Sequence, residues 1–389
     1  MKILVSAGEA SSDRHAARLV EALRRRLPEA RFFGCAGPRL REAGVEPVIR
    51  AESLAVVGVF EVVGRLPHIY GQYRTLLGAA GRERPDLALL VDSPDFNLRV
   101  AAQMRRLGVP TAYYVAPQLW AWRPWRIRRL RRDVDLLLVI FPFEEEYFRS
   151  RGVETVYVGH PLIGEARATL TREEFHARHG LRPEIPLLAI LPGSREGEAA
   201  RHLPDLMRAL EILRRERPLE AALPVSPTIG AQFFEELARE NRVHIVENDA
   251  ANVLAHADVG WVASGTATVE AALLDTPMAA FYRVSRPTWL LGRLLVRTPY
   301  YSMVNLLAGE PLVPELIQND LRPERLADEA KKLLDDPARR ERMRAGFRRI
   351  RETLTGSAPA AERAADAVCQ RFFGKEAKCR TSERFDQAK

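Results

Sequence analysis

Two acidic residues follow apolar runs that have the composition of buried strands. Glu9 lies in the loop after Ile3–Ser6, and Asp92 ends the run that begins at Leu87. Ligands of doubly wound sheets bind beyond the carboxyl ends of the strands, and a carboxylate there can take a proton from a substrate hydroxyl. Asp92 is therefore a candidate general base and Glu9 a second acid at the same rim, although helix capping also explains acids at these positions.

A loop with small and basic residues follows the apolar run Leu187–Leu191. It contains Gly193, Ser194 and Arg195. A guanidinium is always charged and its forked N–H groups match phosphate oxygens, so Arg195 could hold a diphosphate and stabilise it as a leaving group. A surface ion pair with a neighbouring glutamate is the alternative.

A second loop of this kind follows the run Val259–Ala263 and leads into a helical pattern. Small residues there would let a phosphate approach the helix N-terminus, and an acid farther along could bind ribose hydroxyls; the residues are Ser264, Gly265, Thr266 and Glu270. An ordinary capped helix is the alternative. Two such loops favour a nucleoside diphosphate, while the missing Walker lysine and GxGxxG pattern argue against ATPase and dinucleotide chemistry.

Aromatic and basic residues are concentrated in one segment of the first half. Trp120, Trp122, Arg123 and Arg126 lie in it, and arginines continue to Arg132 without an intervening acid. This composition suits a sugar, an anionic lipid surface or nucleic acid; buried rings and a solvated helix face are the structural alternatives. The apolar region 54–77 could likewise contact lipid or form a buried helix.

The elements that would position these residues alternate between strand and helix patterns. The predicted strands are Ile3–Ser6, Ala30–Ala36, Leu87–Asp92, Thr111–Ala116, Leu136–Phe141 and Thr155–Gly159, followed by Leu187–Leu191, Glu220–Pro224, Val243–Glu247, Val259–Ala263 and Pro277–Tyr282. Between them, segments such as Ala16–Leu27 keep apolar residues at helical spacing. The alternation predicts an α/β protein with two doubly wound, Rossmann-like domains that face a cleft, with a boundary near residues 160–186.

Composition narrows the class of protein. The chain has 389 residues, more than one compact core usually holds, and a net charge of +8. No apolar run approaches the roughly 20 residues that span a bilayer, and the first residues resemble a strand rather than a cleavable signal, so we expect a cytoplasmic protein. The three cysteines are far apart, so we expect neither a disulfide framework nor a zinc site.

The motifs, in their order along the chain, resemble those of the lipid-A-disaccharide synthases. They are SAGEASSD, AGPRL, LAVVGVFEVVGRLP, DSPDFN, YYVAPQLWAWR, FPFE, YVGHPL, LPGSRxxE, ASGTATVE and NLLAGEPLVPELIQ. The resemblance implies a GT-B glycosyltransferase. Its expected parts are an acceptor and membrane-side domain at 1–165, a UDP-sugar-binding domain at 186–340, helices at 341–372 that pack back towards the first domain, and a disordered tail at 374–389.

The resemblance also implies a reaction. The family moves 2,3-diacylglucosamine from its UDP donor to 2,3-diacylglucosamine 1-phosphate with inversion, giving a β(1→6) disaccharide and UDP. Asp92 matches the family's catalytic aspartate, and Arg195 matches its diphosphate-binding arginine. The uridine and ribose region matches Ser264, Gly265, Thr266 and Glu270. Asn305 matches a polar position that faces the cleft. Neither a metal nor an organic cofactor is implied.

Glu9 matches the acid of the family's first loop, but two nearby residues depart from the family pattern. The family commonly has a glycine where Ser12 stands and a small residue where His15 stands. Ser12 removes an easy positive φ, so the resemblance says less about the geometry of this loop than about the others.

The implied partners are two acylated sugars, UDP-diacylglucosamine and diacylglucosamine 1-phosphate, and the inner face of the cytoplasmic membrane, to which the enzyme would bind peripherally. Trp120, Trp122, Arg123 and Arg126 are the candidates for acceptor or membrane contact, and a homodimer stays open. The alternative within the same fold is an epimerase or murein-precursor transferase acting on non-acylated UDP-N-acetylglucosamine. A role in nucleic-acid binding or as a non-catalytic membrane module would not explain the two phosphate-type loops. We therefore expect no nucleic-acid partner.

Overall fold

The computed structural model describes residues 1–54, 59–225, 229–296 and 298–374. The chain divides into two compact units. Unit 1 comprises Met1–Pro161 and the described residues from Leu354 onward, and unit 2 comprises Leu162–Thr353. Two of the predicted regions reach beyond this description: the apolar region 54–77 lies partly outside the described residues, and the tail after Gly374 lies wholly outside them.

Thirteen strands within the described residues form two sheets. Those of unit 1 are β1 (Lys2–Ala7), β2 (Arg31–Ala36), β3 (Glu46–Arg50), β4 (Leu87–Val91), β5 (Thr111–Tyr114), β6 (Leu136–Val139) and β7 (Thr155–Tyr157). Those of unit 2 are β8 (Leu187–Leu191), β9 (Glu220–Val225), β10 (His244–Glu247), β11 (Val259–Ala263), β12 (Met278–Tyr282) and β13 (Glu315–Ile317).

Helices connect the strands. They are α1 (Ala10–Arg26), α2 (Pro38–Glu42), α3 (Val59–Glu83), α4 (Pro94–Arg106), α5 (Ile127–Asp133), α6 (Pro142–Arg149), α7 (Arg172–His179), α8 (Glu196–Glu216), α9 (Glu235–Glu240), α10 (Ala250–His256), α11 (Thr266–Leu273), α12 (Arg286–Leu295), α13 (Met303–Ala308), α14 (Pro323–Asp335), α15 (Pro337–Leu354) and α16 (Ala360–Phe372). Within the described ranges, no helix is both long and apolar enough to cross a bilayer.

Both sheets are parallel and doubly wound. The order is β3-β2-β1-β4-β5-β6-β7 in unit 1 and β10-β9-β8-β11-β12-β13 in unit 2. The central strands β4, β5, β6 and β8 are buried along their whole length. A strand covered by helices on both faces needs apolar side chains at every position, which is why these strands were recognisable as continuous apolar runs.

Two layers of helices cover the sheet of unit 1. Alternate strand residues such as Ile3 and Val5 pack with buried residues of α1 and α16, whereas Leu4 packs on the other face with α3, α4 and α5. The period of two along a strand separates the two cores. α1 keeps its buried stripe, including Leu19 and Leu23, at the spacing of a helix.

The direction of winding reverses at the centre of each sheet. β1 lies between β2 and β4, and β8 lies between β9 and β11. Ala7 is in register with Val91, and Leu191 is in register with Val262. Loops that leave strands on the two sides of such a reversal open a crevice in which ligands of doubly wound proteins bind, so each unit contains one such crevice.

The predicted α/β fold with two doubly wound domains is confirmed, and every predicted strand overlaps an observed one. β3 and β13 were not predicted, because both are edge strands with little apolar sequence. β3 exposes Glu46 and Pro47, and β13 has only 3 residues. An edge strand is covered on fewer sides, so it needs no continuous apolar run.

The chain enters unit 1 a second time after unit 2. α14 lies within unit 2, α15 runs to its boundary, and α16 belongs to unit 1. α16 packs on α1, where Arg26 pairs with Glu362 and Asp366 at 2.8 Å each. The region 341–372 is thus divided between the units: α15 ends at their boundary, and α16 belongs to unit 1.

Candidate active site

Asp92 is the first residue after β4, and the backbone turns sharply at this point. The φ angles are +49° at Asp92 and +47° at Ser93, a region that residues with a side chain seldom enter. The Asp92 N–H donates to the Tyr114 carbonyl (3.0 Å), and the Tyr113 hydroxyl donates to the Asp92 carbonyl (2.6 Å). These bonds hold the half-buried Asp92 at the carboxyl edge of the sheet.

Asn97 in α4 also holds this turn in place, a role that the sequence did not reveal. Its buried amide donates to the carbonyls of Asp92 (2.8 Å), Val91 (3.0 Å) and Ser6 (3.2 Å), and its oxygen accepts from the Ser6 hydroxyl (2.7 Å). A buried amide that uses donors and acceptor together is a strong local constraint. Asn97 thereby ties the end of β1 to the turn that carries Asp92.

Glu9 lies next to Asp92 in the sheet order. It is two residues beyond Ala7, whose partner is Val91, so the two acids leave neighbouring strands. The loops are in contact, because a side-chain carbon at Gly8 would lie 3.2 Å from the Ser93 hydroxyl. Glu9 itself is exposed and precedes the first turn of α1. The sheet thus brings the two predicted carboxylates to one rim.

Ser12 stands where the resemblance leads us to expect a glycine, and it has no positive φ because it lies inside α1. Its hydroxyl accepts from the Glu9 N–H (3.0 Å) and donates to the Glu9 carbonyl (2.8 Å). The substitution therefore supplies a helix-terminal hydrogen bond. Burial holds the pKa of the neighbouring His15 at about 4, so this imidazole is neutral at pH 7.

Asp13, the last acid of the first motif, is structural. Its buried carboxylate accepts from the backbone N–H groups of Gly37 (2.8 Å), Arg39 (2.8 Å) and Leu40 (3.3 Å) at the start of α2. A side-chain carbon at Gly37 would lie 2.4 Å from this carboxylate, so glycine is needed there. Burial raises the pKa of Asp13, and the three N–H donors oppose that rise.

Trp120 is held by a buried acid in α6, the helix that follows the next strand of the sheet. Its indole N–H donates to Glu144 (3.0 Å), whose other oxygen accepts from the Phe141 N–H (3.2 Å). Glu144 is 1% exposed, and burial raises its pKa to about 7. The ring of Phe143 stands edge-on to Trp120, with centroids 5.1 Å apart. Trp120 is consequently a fixed, half-buried ring rather than a free surface side chain.

The other members of the aromatic and basic segment are more accessible. Trp122 is 39% and Trp125 55% exposed. The Arg123 guanidinium lies 4.0 Å from the centroid of the Trp122 ring and 3.6 Å from Asp95, and Arg126 also pairs with Asp95. Part of the predicted positive charge is therefore neutralised locally, while the two tryptophans remain available for contact.

In unit 2, the loop after β8 is folded around a carboxylate of its own chain. Gly193 has φ +126°, and a side-chain carbon there would lie 2.5 Å from the Glu198 carboxylate. The Ser194 N–H donates to Glu198 (3.1 Å), and the Tyr282 hydroxyl also bonds to it. Arg195 is exposed and immediately precedes α8. The space beside the Gly193 backbone is thus occupied by the Glu198 carboxylate.

His202 supports this loop from within α8 and was not predicted. Its Nδ1 lies 2.7 Å from the Pro192 carbonyl, and its Nε2 accepts from the Arg283 N–H (2.9 Å). With Nδ1 as donor and Nε2 as acceptor, the ring is neutral. Burial lowers the pKa of His202, which agrees with that state. The imidazole joins the loop after β8 to the residue that follows β12.

The loop after β11 opens α11. The Ser264 hydroxyl donates to the Tyr301 carbonyl (2.7 Å), and the Thr268 hydroxyl donates to the Gly265 carbonyl (2.7 Å). Gly265 and Thr266 are exposed, and Glu270 is half-buried one turn later. Since Leu191 is in register with Val262, this loop and the loop of Gly193 leave neighbouring strands. The structure brings the two phosphate-type loops together.

Asn305 is buried on α13, and its side chain bonds within the chain. Its amide donates to the Val313 carbonyl (2.9 Å) and to Glu315 (2.8 Å), and its oxygen accepts from the Val313 N–H (2.8 Å). Glu315 in turn accepts from the N–H groups of Tyr301 (3.0 Å) and Ser302 (2.9 Å). Asn305 is therefore connected to the Ser264 loop through Glu315 and Tyr301.

Among the described residues, no group of three or more His, Cys, Asp or Glu side chains could hold a metal ion. Each unit instead presents one set of groups at its crevice. Unit 1 offers the acids Glu9 and Asp92, and unit 2 offers the exposed Arg195 with the residues that open α8 and α11. Acids suit proton transfer from a hydroxyl, and guanidinium and helix N-termini suit a phosphate.

Comparison with known proteins shows which family this chain matches. The family model described as lipid-A-disaccharide synthetase matches residues 3–368. The lipid-A-disaccharide synthase of Solibacter usitatus (strain Ellin6076) is 52% identical over 374 residues, which cover 96% of this chain and 98% of that protein.

Solved structures with little sequence similarity share the fold. The S. aureus MnaA–UDP co-structure superposes with a TM-score of 0.67 at 14% identity, covering 96% of this chain and 97% of that one. The calicheamicin glycosyltransferase CalG4 superposes with a TM-score of 0.55 at 18% identity, covering 98% and 99%. At such identities the likeness shows the fold alone, and it confirms the predicted GT-B class.

Proposed function

The chain belongs to the lipid-A-disaccharide synthetase family, and we propose that it moves 2,3-diacylglucosamine from UDP to 2,3-diacylglucosamine 1-phosphate. The products are a β(1→6)-linked disaccharide and UDP. Membership makes the chain a glycosyltransferase of lipid A biosynthesis. The observation that carries the finer assignment is the division of groups between the switch points: acids after β1 and β4, and an arginine with two helix N-termini after β8 and β11.

Asp92 is the general base of the proposed transfer. The acceptor 6-hydroxyl gives its proton to this carboxylate while its oxygen attacks the anomeric carbon from the face opposite to the diphosphate. The bond from that carbon to the diphosphate oxygen breaks, and its electron pair leaves with UDP, so the configuration inverts. Hydrogen bonds to the Asp92 backbone hold the base in one orientation, which favours proton transfer. Glu9 orients the acceptor sugar from the neighbouring loop.

Arg195 binds the diphosphate and stabilises the charge that develops on it. A guanidinium provides this without a metal, and we propose a reaction that uses neither metal nor organic cofactor. Gly193 and Ser194 shape the diphosphate loop. Ser264, Gly265 and Thr266 bind at the N-terminus of α11, with Glu270 directed to the ribose. Asn305 acts indirectly, because its hydrogen bonds hold Glu315 and, through it, Tyr301 beside Ser264.

The acylated substrates would be met at the inner face of the cytoplasmic membrane, with the enzyme bound peripherally. Trp122, with Arg123 stacked on it, and Trp125 provide apolar and basic contacts of the kind that suit an anionic lipid surface. Trp120 and Arg126 are proposed to shape the acceptor side, since both are held by bonds to acids. A homodimer is compatible with this arrangement and remains part of the proposal.

The test compares Asp92→Asn with Arg195→Ala in a mixed-micelle assay. Asp92→Asn should lower turnover by roughly 10²–10⁴-fold, as loss of a general base does, and leave UDP affinity near that of the unmodified protein. Arg195→Ala should weaken UDP binding, raise the donor KM and lower kcat together. Near-normal turnover of Asp92→Asn would remove Asp92 as the base.

The substrate assignment has its own control. The unmodified protein should use UDP-diacylglucosamine and show little turnover with water-soluble UDP-N-acetylglucosamine. A preference for the non-acylated nucleotide sugar would overturn the assignment and favour the alternative enzyme of the same fold.

A further inference from the structure

The loop expected to hold a diphosphate already contains an anion, the carboxylate of Glu198. It lies against the Gly193 backbone, where a side-chain carbon would come within 2.5 Å of it. It accepts the Ser194 N–H at 3.1 Å. A diphosphate that enters this loop therefore meets a negative charge at the backbone donor it would use.

Other groups keep Glu198 in this place. The Tyr282 hydroxyl bonds to it, and burial together with the Glu198 charge raises the pKa of Tyr282 to about 12, so the phenol stays protonated. The Arg195 guanidinium is near enough to oppose that rise. Glu198 is thus part of the same electrostatic group as the arginine that we assign to the diphosphate.

The effect of such a carboxylate depends on the charge of the ligand. In a nucleotide sugar both phosphates are esterified, whereas after transfer the outer phosphate is terminal and ionises a second time near neutral pH. UDP therefore carries about one more negative charge than its donor. A fixed acid in the loop opposes UDP more strongly than the donor, because the repulsion grows with the ligand charge.

We propose that Glu198 is a specificity-determining residue that weakens binding of the nucleoside diphosphate product relative to the nucleotide-sugar donor. The inference rests on the proposed function, because it takes the loop of Gly193 as the diphosphate site. Glu198 favours exchange of spent UDP for fresh donor, while Arg195 supplies the attraction that both ligands need.

The experiment measures the KM of UDP-diacylglucosamine and the inhibition constant of UDP in the same mixed-micelle assay. Glu198→Gln keeps the size of the side chain and an oxygen for the Ser194 N–H, but removes the charge. Glu196→Gln is the matched control: it removes one charge from the same helical turn, and residues two apart on a helix do not share a face.

Glu198→Gln should lower the UDP inhibition constant by about fivefold or more, within the usual range of coupling between charged groups. The donor KM should fall by a clearly smaller factor. Glu196→Gln should change both constants little and by similar factors. The proposal concerns the ratio of the two constants, which a merely structural loss would not shift.

Three results separate the possibilities. If both constants rise together in Glu198→Gln, Glu198 is a structural support of the loop and the inference is wrong. If Glu196→Gln changes the ratio equally, the effect is one of general charge and the assignment to Glu198 fails. If the unmodified protein neither uses the diacylated donor nor is inhibited by UDP, the proposed function fails instead.

Discussion

Glu144 is an acid that the fold removes from solvent and surrounds with N–H donors. Trp120 and Phe141 donate to it, yet burial is the larger influence and raises its pKa to about 7 from a usual value of 4.5. Removing an ionised carboxylate from water disfavours the charged form. The same contact fixes the ring of Trp120, so the charge of Glu144 and the position of this ring are connected.

This contact predicts a pH dependence of stability. Folding raises the pKa of Glu144. The stability that the protonated side chain contributes is therefore complete below about pH 4.5 and is lost as pH rises through about 7. As pH rises from about 5 to about 8, the free energy of unfolding of Glu144→Gln should therefore increase by up to about 3 kcal/mol relative to that of the unmodified protein. Urea titrations at the two pH values measure this difference.

The exposed Glu146 on the same helix provides the control. Glu146→Gln should follow the pH profile of the unmodified protein. A constant difference between Glu144→Gln and the unmodified protein across this range would show that Glu144 does not titrate there.

At the scale of elements, the loop after β8 depends on a residue of the helix that follows it. His202 lies two turns into α8, and its ring bridges the Pro192 carbonyl and the Arg283 N–H. Strand ends in a parallel sheet carry backbone groups that need partners once they are buried. One neutral imidazole serves both, so the position of the loop after β8 relative to β12 depends on it.

Replacing His202 by leucine should leave both backbone groups without their partner. We expect a loss of about 2–4 kcal/mol in free energy of unfolding, from two buried groups at about 1–2 kcal/mol each, and weaker UDP binding. His202→Asn, whose amide can still donate to Pro192, should lose less of both. Equal UDP affinity in the leucine variant and the unmodified protein, measured by calorimetry, would contradict the positioning role.

The pH dependence of this tie follows from its pKa. Because burial lowers the pKa of His202, stability from the neutral ring is present above the unfolded value of about 6.5 and is lost as pH falls towards the lower folded value. The leucine variant has no such titration, so its disadvantage should shrink in acid.

At the scale of the whole molecule, unit 1 is completed by residues from the end of the described chain. α16 buries Ala364, Ala365 and Val368 in the core that α1 forms on the sheet. Its Glu362 and Asp366 pair with Arg26, which is 12% exposed. A helix that covers one face of a parallel sheet is required for burial of that face, so the first unit cannot be complete at residue 161.

Truncation after Thr353 should therefore destabilise unit 1 while unit 2 keeps its sheet. Loss of the apolar side chains that α16 buries, together with its ion pairs to Arg26, should abolish cooperative unfolding of unit 1 in calorimetry, and transfer activity with it. UDP binding, assigned to unit 2, should persist. Truncation after Gly374, which leaves α16 in place, is the control. Full activity of the shorter chain would refute the structural role of α16.

Local patterns in the sequence were sufficient for the elements and for the residue types at their ends. Continuous apolar runs predicted the central strands, because strands covered on both faces must be apolar throughout. The acids after β1 and β4 and the small-residue loops after β8 and β11 were found in the same way. Motif spelling gave the family, and the family model and a relative at 52% identity confirmed it.

Which distant residues meet was decided only by the tertiary structure. The register of Ala7 with Val91 makes neighbours of Glu9 and Asp92, although many residues separate them in sequence. The bond from Ser194 to Glu198, and the inward position of Asn305, depend on how side chains pack after the strands are ordered. Periodicity reports only whether a side chain is buried. The partner of a side chain is set by the strand order and by the need of each buried polar group for a hydrogen bond. A local stretch of sequence determines neither of these.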